Sequence, residues 1–169
     1  MNRSGGLGKP LITLKYQTGE SFTVHLNSLV GANFRNVNFH RIIFDGMDLR
    51  GADFSRANLR NVGFVEAEIS DVKMQDAFLV NSYFMGAKMH FAKLNGATLV
   101  GADFTGADLT GAIFFNANAQ FSCFQKPKLT GADMRVENAE RALWAGSIYD
   151  EKTLWPMGFD PEKFGAIRN

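Results

Sequence analysis

From Leu29 onward, every fifth residue of this chain is large and apolar, and the step never slips before Met134. The series runs Leu29, Phe34, Phe39, Phe44, Leu49, Phe54, Leu59, Phe64, Ile69, Met74, Leu79, Phe84, Met89, Leu94, Leu99, Phe104, Leu109 and Phe114, then through Ala119 to Phe124, Leu129 and Met134. Of these 22 positions, 21 carry Leu, Phe, Ile or Met. Two residues before each stands a smaller one, most often alanine, as at Ala52, Ala57, Ala97, Ala102, Ala107 and Ala112. A fixed short period held from Asn27 to Val136 defines a repeat architecture.

The period has a physical reading. In extended backbone, residues two apart face the same side and the one between faces away. The small and large residues therefore point inward together, and Asn33, Asn38, Asp48, Asp53, Asn58, Asp103, Asp108 and Asp133 point outward between them. The next two residues must turn the chain, and glycine is common at the second of them (Gly46, Gly51, Gly86, Gly96, Gly101, Gly106, Gly111, Gly131), which suits a tight turn. A helix fails, because a five-residue step rotates steadily around a period of 3.6. A long strand fails, because an odd step alternates faces. A chain that bends every five residues around an internal apolar column, a β-solenoid, satisfies the pattern.

The run Gly96-Ala97-Thr98-Leu99-Val100-Gly101-Ala102-Asp103-Phe104-Thr105-Gly106-Ala107-Asp108-Leu109 resembles the pentapeptide-repeat family, whose pattern is roughly A-(D/N)-L-X-X. The resemblance implies an all-β fold, a right-handed quadrilateral β-helix with four repeats per coil and caps at both ends. The 22 repeats then make about five and a half coils, roughly 26 Å long at ~4.8 Å per coil. Farther on, Tyr149-Asp150-Glu151-Lys152-Thr153-Leu154-Trp155-Pro156-Met157-Gly158-Phe159-Asp160-Pro161 resembles the tail of cyanobacterial and plant members. It implies a cyanobacterial or plastid setting.

The division expected is an N-terminal cap over 1–26, the β-helix over 27–136 and a C-terminal cap over 137–169. In the first segment Ile12, Leu14 and Tyr16, then Phe22, Val24 and Leu26, alternate with polar residues around Gln17-Thr18-Gly19-Glu20. That pattern suits a hairpin; alternatively Phe22 and Val24 already belong to the first coil. Either arrangement covers an open strand edge. In the last segment, Val136 to Trp144 suits a short helix with Ala139, Ala142 and Leu143 turned inward. Asp160-Pro161 reads as a helix N-cap and first position, and Trp144, Tyr149, Trp155 and Phe159 are expected over the last coil. Within the repeats, Ala119 leaves room for Phe115 or Phe121 or for a small cavity, and Pro127 removes one ladder hydrogen bond.

Composition narrows the function. With 18 basic and 17 acidic residues, the chain favours neither nucleic acid nor an acidic mimic. No apolar run approaches the ~20 residues of a membrane span, and Met1 to Pro10 lack the apolar centre of a signal peptide. The single cysteine, Cys123, forms no intrachain disulfide and suits a reducing compartment, so the cytoplasm is expected.

Catalytic constellations are sparse. His40 and His90 are two and a half coils apart, on opposite faces of a four-sided column, and His25 lies in the cap, so a shared metal site is not expected. Cys123 faces outward beside Asp103, without a base, and reads as inert. The recurring outward Asp residues read as turn formers rather than acid–base pairs. No phosphate loop, dinucleotide fingerprint or nucleophile elbow is present. We expect no enzyme and no cofactor.

Stacking every 20 residues brings Val65, Phe78, Val80, Tyr83, Met85 and Val100 to one exposed face, extended by Phe121. An exposed apolar patch marks a docking site for a protein partner or a second copy; the alternative is self-cover by the tail or the N-terminal segment. Arg35, His40, Arg41, Arg56 and Arg60 crowd two adjacent faces of the first coils. They suit an anion contact or ion pairs with Asp45, Asp53 and Glu66. The function expected is therefore a non-enzymatic interaction scaffold. The family resemblance adds an alternative, a DNA-mimicking binder of type II topoisomerase (gyrase), which calls for an acidic surface. Residues 27–136 hold eleven basic and ten acidic side chains, and the unbroken register leaves no projecting loop.

Overall fold

The computed structural model describes residues 12–169; the expected cap before residue 12 lies outside them. In the repeat region the backbone pairs with itself, in parallel, every 20 residues: Asn33 with Asp53, Asp53 with Lys73, Lys73 with Lys93, Lys93 with Ile113 and Ile113 with Asp133. A five-residue step returns to the same column after four steps, so four columns run side by side. They start at Asn33, Asn38, Ile43 and Asp48. Each coil donates and accepts along this ladder: Phe54 N–H reaches the Lys73 carbonyl at 2.7 Å and Lys73 N–H reaches the Ala52 carbonyl at 2.9 Å.

Between columns the chain makes a hydrogen-bonded turn. The N–H of each small inward residue donates to the carbonyl of the preceding large one, as from Ala57 to Phe54 at 3.0 Å and from Ala87 to Phe84 at 3.0 Å. The residue before the donor has positive φ, as the third residue of a type II turn requires. Glycine fills the position without strain at Gly51 (φ 67°) and Gly106 (φ 67°). Bulky side chains occupy it at Arg56 (φ 58°), Glu66 (φ 55°), Phe91 (φ 56°) and Phe121 (φ 60°), in a region that costs a side-chain-bearing residue about 1–2 kcal/mol. Pro127 sits where this turn donor belongs. It therefore removes a turn bond rather than the expected ladder bond, and its carbonyl still accepts the Ile148 N–H at 2.9 Å.

The outward Asp and Asn residues have a structural task. Each turns an oxygen onto the amide two residues ahead: Asn33 onto Arg35 (3.1 Å), Asp53 onto Ser55 (3.0 Å), Asp103 onto Thr105 (2.9 Å) and Asp133 onto Arg135 (3.2 Å). That is the local turn bond these side chains favour.

Inside, Phe44, Phe64, Phe84, Phe104, Phe124 and Trp144 form one column of rings with successive centroids 5.3, 5.0, 4.8, 4.9 and 4.6 Å apart. All six are buried. Neighbouring rings such as Phe104 and Phe114 meet edge to face at 5.6 Å, a favourable aromatic geometry. Beside Ala119 neither Phe115 nor Phe121 turns inward; both are exposed. The Trp144 indole instead reaches across the interior to donate to the Ala139 carbonyl at 2.8 Å.

At the start, β1 (Ile12–Tyr16) and β2 (Ser21–Val24) form an antiparallel hairpin, and β1 also pairs with β3 (Ile42–Ile43). Phe22 and Val24 thus lie in the hairpin rather than in the first coil. Phe22 stacks on Phe39 at 6.3 Å and Leu14 is fully buried.

At the far end the coil persists beyond residue 136. Parallel pairing continues from Asn118 to Glu137, Cys123 to Leu143, Lys128 to Ile148 and Asp133 to Leu154, in steps of 19, 20, 20 and 21 residues. The expected helix over Val136 to Trp144 is only a three-residue 3-10 turn, Ala139–Arg141. Ala139 and Ala142 are buried as expected, but Leu143 faces outward, 56% exposed. The reason is geometric: Trp144 takes the inward place above Phe124, which puts its predecessor outside.

The tail then closes ladder groups. Asp150 accepts the Gly131 N–H at 2.9 Å, Thr153 Oγ1 donates to the Leu129 carbonyl at 2.8 Å, and the Tyr149 hydroxyl donates to Glu162 at 3.0 Å. Trp155 and Phe159 pack on Trp144 at 5.1 and 5.9 Å. β4 (Ile148–Tyr149) gains a parallel partner in β5 (Ile167–Arg168). Asp160 precedes the 3-10 turn Pro161–Phe164 but makes no side-chain cap bond; its carboxylate pairs with Lys163 at 3.3 Å.

Candidate interaction surface

The Asn38 column carries, in order, Asn38, Asn58, Phe78, Thr98 and Asn118, with His40, Arg60, Val80, Val100 and Gln120 two residues after each. The Ile43 column carries Gly63, Tyr83, Asp103 and Cys123, with Val65 and Met85 beside it. Phe78, Tyr83 and Phe121 are exposed, whereas Val65, Val80, Met85 and Val100 are half-buried. The face therefore presents three aromatic rings over a floor of smaller apolar side chains. Phe121 is 64% exposed and held at φ 60°.

The same face has lost its local acceptors. Where Asn38 and Asn118 cap the amides of His40 and Gln120 at 3.2 and 3.1 Å, Phe78, Tyr83 and Thr98 leave the N–H groups of Val80, Met85 and Val100 without an acceptor among the described residues. Only Val65 recovers one, from the Asp45 carboxylate of the preceding coil at 2.9 Å. Apolar side chains and open backbone donors thus share one surface. The tail does not cover it: Trp155 and Phe159 pack on Trp144 at the column's end.

The five basic residues are all exposed but act separately. Arg35 pairs with Asp53 at 3.3 Å. The His40 ring meets the Asn61 amide at 3.1 Å, and the Arg60 guanidinium lies over the Phe78 ring at 5.4 Å, a cation–π contact. Arg41 and Arg56 make no ion pair among the described residues. Of the three expected acidic partners only Asp53 pairs with this group.

Among the described residues no three His, Cys, Asp or Glu side chains lie close enough to hold a metal, and no helix is long and apolar enough to cross a membrane. Cys123 Sγ lies 3.3 Å from the Thr105 hydroxyl. His90 contacts Asp108 at 3.2 Å in the Asp48 column, away from His40. A groove of about 520 Å³ near the end of the chain is lined by apolar residues such as Val136, Phe159 and Phe164 together with Asn138, Glu140, Asp160 and Lys163.

Sequence reasoning missed a second group of exposed apolar residues, Phe91, Phe115 and half-buried Ile113. A signal was present. Phe91 and Phe121 are the two large apolar residues at the second, positive-φ turn position, otherwise held by Gly, polar or charged residues.

A 20-residue coil, an apolar column and an exposed outer face define a β-helix repeat protein. A fold of this kind is also found in the solved HetL protein of the cyanobacterium Nostoc sp. strain PCC 7120, a pentapeptide repeat protein involved in heterocyst differentiation regulation. The two are 18% identical with a TM-score of 0.57, over 73% of this chain and 62% of that one. The pentapeptide-repeat model itself matches residues 28–62, 64–99 and 92–135, in 8 copies, so the chain belongs to the pentapeptide repeat family. Weaker likenesses are to an Arabidopsis thaliana thylakoid-lumen pentapeptide repeat protein (24% identity, TM-score 0.31, 62% of this chain and 66% of that) and to QnrB1, a plasmid-mediated fluoroquinolone resistance protein (14%, 0.44, 83% and 85%). No curated protein matches the chain.

Proposed function

We propose that this protein is a non-enzymatic interaction scaffold that binds a protein, either another chain or a second copy of itself, through the face around Phe78, Tyr83 and Phe121. Val65, Val80, Met85 and Val100 form the floor of that face. In this reading the four columns are the sides of a quadrilateral β-helix, and the hairpin and tail are its caps. The setting is a reducing one, such as the cytoplasm. The observation that carries the reading is the coincidence of three exposed rings with three open amides. A partner strand or loop supplies both an apolar contact and the missing acceptors, as interface cores do. Phe121 adds to this, since a strained and exposed aromatic residue is costly to keep for stability alone.

The test is site-specific photo-crosslinking with benzoylphenylalanine in place of Phe78, in cells of the source organism, with the same group in place of Thr110 as control. A discrete adduct at 78, absent at 110 and lost when Val80→Glu and Met85→Glu are added, is expected. Its mass tells a second copy from another protein. Equal labelling at both positions contradicts the proposal.

A further inference from the structure

We propose that the Asn33 column holds a second docking site, independent of the Phe78 face, for an acidic segment of a partner protein. In this column Asp53 and Asp133 each place a carboxylate oxygen on the amide two residues ahead, Ser55 at 3.0 Å and Arg135 at 3.2 Å. At two rungs between them the acceptor is replaced by a cation. Lys73 and Lys93 pair with each other through their backbones, both side chains are exposed, and the Gln75 and Asn95 N–H groups have no acceptor among the described residues.

Stacking like charges directly opposite one another destabilises a ladder; the Asp53 carboxylate, one rung away, feels the charge of Lys73 without pairing with it. Neither ammonium forms an ion pair among the described residues. The acids near them are Asp53, one rung before Lys73 and already paired with Arg35 at 3.3 Å, Asp71, two residues before Lys73 on the chain, and Asp76, whose carboxylate leans over Gly96. Two exposed ammonium groups and two open amide donors therefore stand at rungs where Asp53 and Asp133 keep a carboxylate. A carboxylate brought by a partner restores the arrangement seen at Asp53 and Asp133.

The neighbouring corner tells what flanks that carboxylate. Phe91 is 57% exposed at φ 56°, and its ring lies across Gly111, where a Cβ would come within 2.6 Å of two ring carbons. Half-buried Ile113 follows Lys93 in the column. An Asp or Glu beside a large apolar residue matches this surface.

The probe is a fluorescein-labelled glutamate-rich peptide carrying one Leu and one Phe, with a lysine-rich counterpart as control, titrated into the full chain at low salt. Saturable binding that shifts the Gln75 and Asn95 amide NMR signals is expected. Lys73→Asn with Lys93→Asn supplies a local acceptor to each amide, so that variant stays folded, melts no lower, and binds about tenfold more weakly or worse. Phe91→Gly relieves the positive φ and weakens binding without lowering stability. Val80→Glu with Met85→Glu leaves it unchanged. Undiminished binding by the double Asn variant overturns the proposal. So does equal binding of the lysine-rich peptide, amide shifts confined to other columns, or binding only to phosphatidylserine vesicles or a DNA duplex offered in parallel.

Discussion

Asp108 sits between His90 and Lys128, and its carboxylate also accepts the Thr110 hydroxyl at 2.7 Å and the Thr110 N–H at 3.2 Å. Partial burial alone raises its pKa, but the Thr110, His90 and Lys128 hydrogen bonds outweigh that and lower it to about 2. An unfolded Asp titrates near 3.9, at about pH 4. The unfolded chain thus takes up the proton first as pH falls, so this stabilisation is complete above about pH 4 and is lost on the way to about pH 2. Asp108→Asn should flatten that part of the acid limb in urea titrations and cost about 1 kcal/mol at neutral pH, because His90 and Lys128 are exposed partners. A second single-residue effect lies at Glu66, held at φ 55°, whose side chain makes no hydrogen bond or ion pair among the described residues. Glu66→Gly should raise the free energy of unfolding by about 1 kcal/mol, and a fall in the urea midpoint would contradict the turn assignment.

At the scale of elements, the ring column from Phe44 to Trp144 joins six buried rings in one stack. Phe84 lies between Phe64 and Phe104 with interplanar angles of 5° and 1°. Phe84→Ala should cost about 3–5 kcal/mol in equilibrium unfolding, while Phe78→Ala, on the same coil but outside, should cost well under 1 kcal/mol. This element was legible because the five-residue phase assigns every residue from Leu29 to Met134 to a side without reference to its neighbours. The last coil was not legible for the same reason. Pairing there steps by 19 and 21 residues, and the tail maintains the geometry with Asp150 and Thr153 side chains rather than with the repeat's Ala and Leu. Leu143 was placed inside on a helical period that the chain does not follow. Pro127 was assigned the wrong missing bond because the inward small residue spends its N–H on the turn, a division of labour that only the hydrogen-bond pattern reveals. The hairpin Ile12–Val24 was legible as one of two options, and the pairing of β1 with Ile42–Ile43 was beyond what alternation alone shows.

At the scale of the whole molecule, a rigid column turns sequence position into surface position. In the function proposed for it, the contacts fall to outward residues that depart from Asn and Asp. The Phe78 face was legible because its departures are apolar side chains. Its open amides were not, since they follow from losing a side-chain acceptor two residues earlier, which is visible only once the Asp53–Ser55 type of bond is seen. The Lys73–Lys93 pair was not legible for the same reason.

Which residues face in and which face out decides what each face can bind, and adjacent residues test it. Leu79 is fully buried between Leu59 and Leu99 in the repeat series, and Val80 beside it faces out. The measurement is thermal unfolding by circular dichroism of Leu79→Glu and Val80→Glu. The account predicts that Val80→Glu melts within a few degrees of the natural protein, whereas Leu79→Glu, with an unpaired charge in the core, does not fold. Equal damage by both, or the reverse order, would contradict it.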